Sequence, residues 1–172
     1  MQMATARYAL APIYLLRNRP RIEGQENVPN DRPVLVVANH LSYWDPPLLC
    51  IATDKPLTFV AKKELFENPF LRPFVELYCS IPVNREKPGL STIKAVHQVI
   101  QDGYSVGMFI EGTRSRVPNT LGAPHLGPAY IAKNNKVSIL PVGLVGTNHN
   151  FMQVQVNIGQ PLEASNDLEE TT

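Results

Sequence analysis

The chain has 172 residues, a formal net charge of +1 and 44% hydrophobic residues. That is enough chain for one domain with a sizeable core, and the near-neutral balance gives no argument for a nucleic-acid partner. Proline is abundant at 16 residues, and the two cysteines, Cys50 and Cys79, both stand in apolar surroundings, a pattern that favours reduced thiols and a cytoplasmic setting over a disulfide or a metal site.

Taken in order, residues 1–20 read as one amphipathic helix. Its apolar run, 8–16, is too short to span a membrane, contains Pro12 and lacks a small-residue cleavage site. Arg7, Arg17, Arg19 and Arg21 flank it, so segment 1–21 either packs on the domain or lies on an anionic membrane surface. Residues 22–172 are expected to form a single domain. A short strand and turn cover 21–29. The run Val34-Leu35-Val36-Val37-Ala38 is apolar and β-branched and reads as a buried strand. A helix is predicted from Pro47 to Ala52 and a strand over 57–61. A helical or looped stretch follows, broken by Pro69 and Pro73. Residues 81–85 are strand-like, and Pro82 confines them to a sheet edge. Over 90–101 the spacing predicts a helix capped by Ser91, with Ile93, Val96, His97 and Ile100 on its apolar stripe. That places His97 in or beside the core. Asp102-Gly103 ends the helix. Then come a strand over 106–110, a loop over 117–127, a short helix over 129–134, and strands over 137–142 and 154–158. Strands alternating with helices predict an α/β fold: a mostly parallel central sheet covered by helices on both faces.

The stretch Asn39-His40-Leu41-Ser42-Tyr43-Trp44-Asp45 follows the first buried strand. It therefore lies past a strand's carboxyl end, where open α/β sheets bind ligands. His40 and Asp45 would point about 140° apart on a helix, but Pro46 disfavours helix at Asp45, and a turn can return the carboxylate to the imidazole. A carboxylate on one ring nitrogen fixes the tautomer and leaves the other nitrogen as a base. The plainer reading makes Asp45 a helix cap and His40 a loop residue. Further along, Glu111-Gly112-Thr113-Arg114-Ser115-Arg116 follows the strand over 106–110. Gly112 permits close backbone approach, Thr113 offers a hydrogen bond, and Arg114 a planar fork matched to phosphate oxygens. Arg85 follows another strand, and Lys62 and Lys63 a fourth. Four strand ends thus bring cationic or catalytic groups to one rim, as a site for an anionic substrate beside a general base would require.

Two other readings carry less. Gly103-Tyr104-Ser105-Val106-Gly107 matches the G-x-S-x-G nucleophile elbow, but that motif needs strand before serine and helix after. Here the order is reversed, so Ser105 is not expected to be a nucleophile. No close-spaced histidine or cysteine set accompanies His40, Asp45 and Glu111, so no metal is expected, although His125 and His149 lie in loops.

Together these segments resemble the glycerophospholipid acyltransferase family of 1-acyl-glycerol-3-phosphate acyltransferases. Residues Asn39 to Asp45 look like its N-H-x-S-x-x-D block. Phe59-Val60-Ala61-Lys62-Lys63-Glu64-Leu65 is similar to its lysine-containing block, and Ile81-Pro82-Val83-Asn84-Arg85 to the block ending in arginine. Phe109 to Ser115 and Ile139-Leu140-Pro141-Val142-Gly143 resemble the two that follow. The blocks occur in family order over roughly residues 22–162. This chain departs from the pattern near Cys79, where the family usually has glycine. It departs again at Pro82, usually another apolar residue, and at His125, often lysine. It also ends sooner after Leu162 than many relatives.

The resemblance implies direct acyl transfer from acyl-CoA or acyl-carrier-protein to a lysophospholipid hydroxyl at the membrane, with no other cofactor. His40 would be the general base and Asp45 its orienting partner. Asn39, Ser42, Lys62, Lys63, Arg85, Glu111, Gly112, Thr113 and Arg114 would contact substrate. Two alternatives are a thioesterase or esterase, and a lipid-binding module with little activity. A cytoplasmic protein held at the cytoplasmic membrane face is expected.

Overall fold

The computed structural model describes residues 19–83, 90–114, 122–148 and 153–163. Their elements, in chain order, are β1 (Arg21–Glu23), a 3-10 turn (Gln25–Asn27), β2 (Leu35–Ala38), α1 (Asp45–Thr53), β3 (Leu57–Lys62), α2 (Glu64–Glu67), α3 (Arg72–Leu77), β4 (Ile81–Val83), α4 (Leu90–Gln101), β5 (Ser105–Phe109), α5 (Gly127–Asn135), β6 (Ile139–Val145) and β7 (Gln155–Ile158). The strands form one sheet of seven, in the order β1-β7-β6-β2-β5-β3-β4. Every pairing is parallel except β6 with β7. The expected α/β fold with a mostly parallel sheet is what forms. Of the expected helix over 1–20, residues 1–18 lie outside the described residues; residues 19 and 20 are not helical, and Arg21 belongs to β1.

Alternation along the strands builds two cores. In β2, Val36 and Ala38, together with Val34 just before it, face Leu48 and Leu49 of α1, with Phe59 of β3 in the same cluster. Leu35 and Val37 face the other way, toward Val96 and Ile100 of α4 and Ile131 and Ala132 of α5. A strand buried on both faces needs apolar residues at every position, which is why residues 34–38 carry no polar side chain. Gly107 of β5 is glycine because the Phe59 ring lies across it: a Cβ there would stand 2.4 Å from Phe59 Cε1. That contact sets where the Phe59 ring lies, a point that matters at the site.

Several boundaries differ from expectation for local reasons. Helix α1 starts at Asp45, not Pro47. Asp45 N–H already bonds Ser42 O and Leu48 N–H bonds Trp44 O, and prolines at first-turn positions forfeit no intrahelical donor. Pro73 likewise opens α3 rather than breaking it. Ser91 lies inside α4, which begins at Leu90. His97 is exposed rather than core; its Nδ1 pairs with Asn135 Oδ1 at the end of α5. The apolar face of α4 is carried by Val96 and Ile100, with Ala95 and Val99 beside them. Pro82 does sit in the edge strand β4.

Ser105 shows why the elbow motif misleads. It opens β5, is 4% exposed, and its hydroxyl accepts the Val34 N–H at 3.1 Å. It is a strut between the β2 and β5 starts. Cys79 has a backbone φ of 47°, in the left-handed region that costs a residue with a Cβ about 1–2 kcal/mol. This is the neighbourhood where the sequence departs from glycine. Replacing Cys79 by glycine should therefore raise unfolding stability by about 1 kcal/mol, whereas Cys79→Ala should not; urea denaturation of the two variants checks this.

Candidate active site

The parallel register puts the carboxyl ends of β2, β3, β4 and β5 on one edge of the sheet. Ala38 pairs with Phe109, and Lys62 with Val83. Asn39 and His40 leave β2 there, Lys62 closes β3, and Glu111 to Arg114 leave β5. Arg85, expected on the fourth end, lies outside the described residues, as do Ser115 and Arg116.

The turn after β2 winds around one carboxylate. Asp45 is fully buried. Its Oδ2 accepts the N–H of Leu41 at 2.7 Å and of Ser42 at 2.7 Å, and lies 2.8 Å from His40 Nδ1. An oxygen already accepting two N–H groups can only accept again, so the shared hydrogen sits on Nδ1, and in the neutral ring Nε2 is the free nitrogen. Asp45 therefore does not cap α1, whose N-cap Trp44 makes no side-chain cap bond. The carboxylate reaches back to shape the turn and fix the ring. His40 is stacked on Phe109, with centroids 3.9 Å apart and planes at 13°, and Phe109 is stacked on Phe59 in turn. The Gly107 gap that admits Phe59 thus carries through Phe109 to the imidazole.

Other predicted residues brace this turn. Asn39 bonds β6 with both ends of its amide: its Nδ2 donates to Leu144 O at 2.9 Å and its Oδ1 accepts the Leu144 N–H at 2.7 Å. Ser42 Oγ accepts the Trp44 N–H. Glu111 is buried, with Oε2 accepting the Gly122 N–H at 2.9 Å and Oε1 facing the His40 N–H at 3.4 Å. Gly112, at φ 64°, turns the chain beneath His125, whose ring would meet a Cβ at 3.1 Å. Thr113 and Arg114 are exposed. Lys62 and Lys63 are half or more exposed and face Glu64 and Glu67.

His40 lines a cleft of about 180 Å³, together with Lys62, Thr113 and Arg114 at its polar end. Lys63 does not reach it. Its walls are apolar, from Phe59, Val60 and Ala61 of β3, Leu65, Leu71, Phe74 and Val75 of the α2–α3 segment, and Phe109. Tyr78 lies on it too. Burial pushes this phenol well above its ordinary pKa, with the nearby Cys50 adding to the shift, and its hydroxyl has no hydrogen-bond partner among the described residues. Phe59, Phe109, Tyr78 and Tyr43 were not singled out in the sequence. For Phe59 and Phe109 a signal existed: each is the bulky residue on the strand face turned toward α1. Among the described residues, no group of three or more His, Cys, Asp or Glu is placed to hold a metal ion.

A carboxylate-fixed imidazole thus stands on the wall of a largely apolar cleft, on the carboxyl edge of a parallel sheet of an α/β protein. The Acyltransferase family model matches residues 19–145, and the chain belongs to that family. It is 30% identical to the 1-acyl-sn-glycerol-3-phosphate acyltransferase of Bacillus subtilis over 90% of this chain and 79% of that protein. It is 30% identical to the Streptococcus pneumoniae enzyme of that name, over 89% of this chain but 59% of the relative. The crystal structure of the 1-acyl-sn-glycerophosphate acyltransferase PlsC from Thermotoga maritima superposes with a TM-score of 0.72 at 25% identity, covering 98% of this chain and 74% of that one.

Proposed function

We propose that this O-acyltransferase moves a fatty acyl group from a thioester, acyl-CoA or acyl-carrier-protein, to the free hydroxyl of 1-acyl-glycerol-3-phosphate or a related lysophospholipid. The observation that carries this reading is His40 held by Asp45 at 2.8 Å on the wall of an apolar cleft. The relatives' names supply the acceptor class.

In this reading Nε2 of His40 takes the hydroxyl proton as the oxygen attacks the thioester carbonyl. The C–S bond breaks, and the imidazolium returns the proton to the thiolate, giving a new ester and a free thiol. Asp45 balances the charge on the ring while it is protonated. The cleft receives the acyl chain, so that carbonyl and hydroxyl meet beside His40 in reacting geometry. Arg114, with no carboxylate partner among the described residues, holds the acceptor phosphate with Thr113 and the close-approaching backbone at Gly112. Lys62 adds positive charge at the same mouth, and Arg85 is assigned there by resemblance. Asn39, Ser42 and Glu111 act by holding the turn; Lys63 contributes only at longer range. No described helix is long and apolar enough to cross a membrane, and we place the enzyme at the cytoplasmic membrane surface, where its acceptor lies.

Incubating the protein with palmitoyl-CoA, with and without lysophosphatidate, tests the reading. The expected result is acceptor-dependent thiol release matched by phosphatidate. Thiol release indifferent to acceptor would make it a thioesterase, and lipid binding without release would make it a binding module.

A further inference from the structure

The same turn that holds His40 also holds Arg114. The Arg114 guanidinium carbon lies 3.7 Å from the centre of the Tyr43 ring, and Nη2 donates to the Tyr43 hydroxyl at 2.9 Å. Both side chains line the cleft mouth beside His40. Tyr43 is 47% exposed, so its ring fills no core position. Glu111, the acid in Arg114's own loop, is turned inward and occupied by backbone N–H groups. The guanidinium therefore keeps its charge unneutralised among the described residues. Among the described residues one of its five N–H donors is used, leaving an edge for an anion.

We propose that Tyr43 is a positioning residue for the acceptor. Its ring is a shelf that holds the Arg114 fork at a set distance from the His40 base, and so fixes where a phosphomonoester head group sits relative to the reacting hydroxyl. This rests on the functional reading above, in which Arg114 binds that phosphate. The shelf is rigid because Asp45 clamps the N–H groups of Leu41 and Ser42, the two residues just before Tyr43. An arginine side chain free in water loses rotamer entropy when it is fixed. Stacked on Tyr43, it has already been ordered before substrate arrives. One turn thus sets both the base and the anion holder, and the span between them is built into a single short segment.

The test combines Tyr43→Leu, Tyr43→Phe, Arg114→Ala and the Tyr43→Leu/Arg114→Ala double variant, each checked by thermal melting. Binding of sn-glycerol 3-phosphate is measured by equilibrium dialysis, and steady-state transfer from palmitoyl-CoA to lysophosphatidate in parallel. Tyr43→Leu should weaken glycerol 3-phosphate binding and raise acceptor KM by about tenfold, in line with an exposed cation–π contact and one charge-assisted bond. The donor KM should stay put. Tyr43→Phe, which keeps the ring but not the hydroxyl, should recover part of the loss. In the Arg114→Ala background Tyr43→Leu should have no further effect, a non-additivity that a general loosening of the turn would not produce. Equal binding by wild type and Tyr43→Leu, additive losses, or no phosphate binding by wild type overturns the shelf. Normal, Arg114-dependent binding without any transfer would instead leave the shelf standing and defeat the acyltransfer reading.

Discussion

His40→Ala is expected to reduce acyl transfer by about 10²–10⁴-fold while leaving the fold intact. The activity loss follows from removing the nitrogen base on the cleft wall that a buried carboxylate fixes. Expressed as a barrier, it is about 3–5 kcal/mol. The stability cost is much smaller. The ring is stacked on Phe109, and an aromatic contact of this kind contributes roughly 0.5–1.5 kcal/mol beyond its area. Asp45 Oδ2 keeps the N–H groups of Leu41 and Ser42 when the ring is gone, so its charge is not stranded. Melting followed by circular dichroism and single-turnover transfer from labelled palmitoyl-CoA separate the two quantities. Transfer within tenfold of wild type would remove His40 from the base role.

The sequence carried the sheet and the base pair because both follow from local rules. Residues 34–38 are apolar throughout, and only a strand covered on both faces uses such a run. The histidine and aspartate could be paired because proline at position 46 argued for a turn. That argument was half right. Asp45 does face His40, but it is also the first residue of α1. The carboxylate is available to the ring because the turn's own N–H groups draw it back, and no spacing rule reveals that. His97 was misplaced for a related reason: helical periodicity gives a stripe, but whether a residue at its border is covered depends on the neighbouring helix, and here α5 ends in Asn135, a polar partner. The apolar cleft was not legible either. It is made by residues from β3, α2, α3 and β5, brought together only by the β5-β3-β4 order of the sheet. The resemblance assigned substrate contact to Asn39 and Glu111. In the fold their side chains also hydrogen-bond Leu144, Gly122 and the His40 backbone, and so brace the turn. The glycine preference near position 79, by contrast, had a backbone cause that becomes visible once φ is known.

Asp45→Asn should damage both catalysis and stability, and the contrast with His40→Ala is what isolates its two roles. In the fold, three donors converge on Oδ2 while Oδ1 is buried with no hydrogen-bond partner among the described residues. An asparagine that keeps its oxygen at the Oδ2 position must place its NH₂ group where Oδ1 now is. Two donors are then buried unsatisfied, at a cost of about 1–3 kcal/mol. The hydrogen bonds to Leu41 and Ser42 lose their charge assistance, which makes them roughly half as strong. Together these predict a loss of about 3 kcal/mol in unfolding free energy, measurable by urea denaturation. In catalysis the ring can still be oriented, but the negative charge that balances an imidazolium is gone. The loss should then be about 10–100-fold, the value of one charged hydrogen bond of 1.5–3 kcal/mol, and smaller than for His40→Ala. Measured at a temperature where both variants are fully folded, the order of activities should be wild type, then Asp45→Asn, then His40→Ala. The order of stabilities should be wild type, then His40→Ala, then Asp45→Asn. If Asp45→Asn instead melts like wild type and transfers at the wild-type rate, the carboxylate neither shapes the turn nor serves the base.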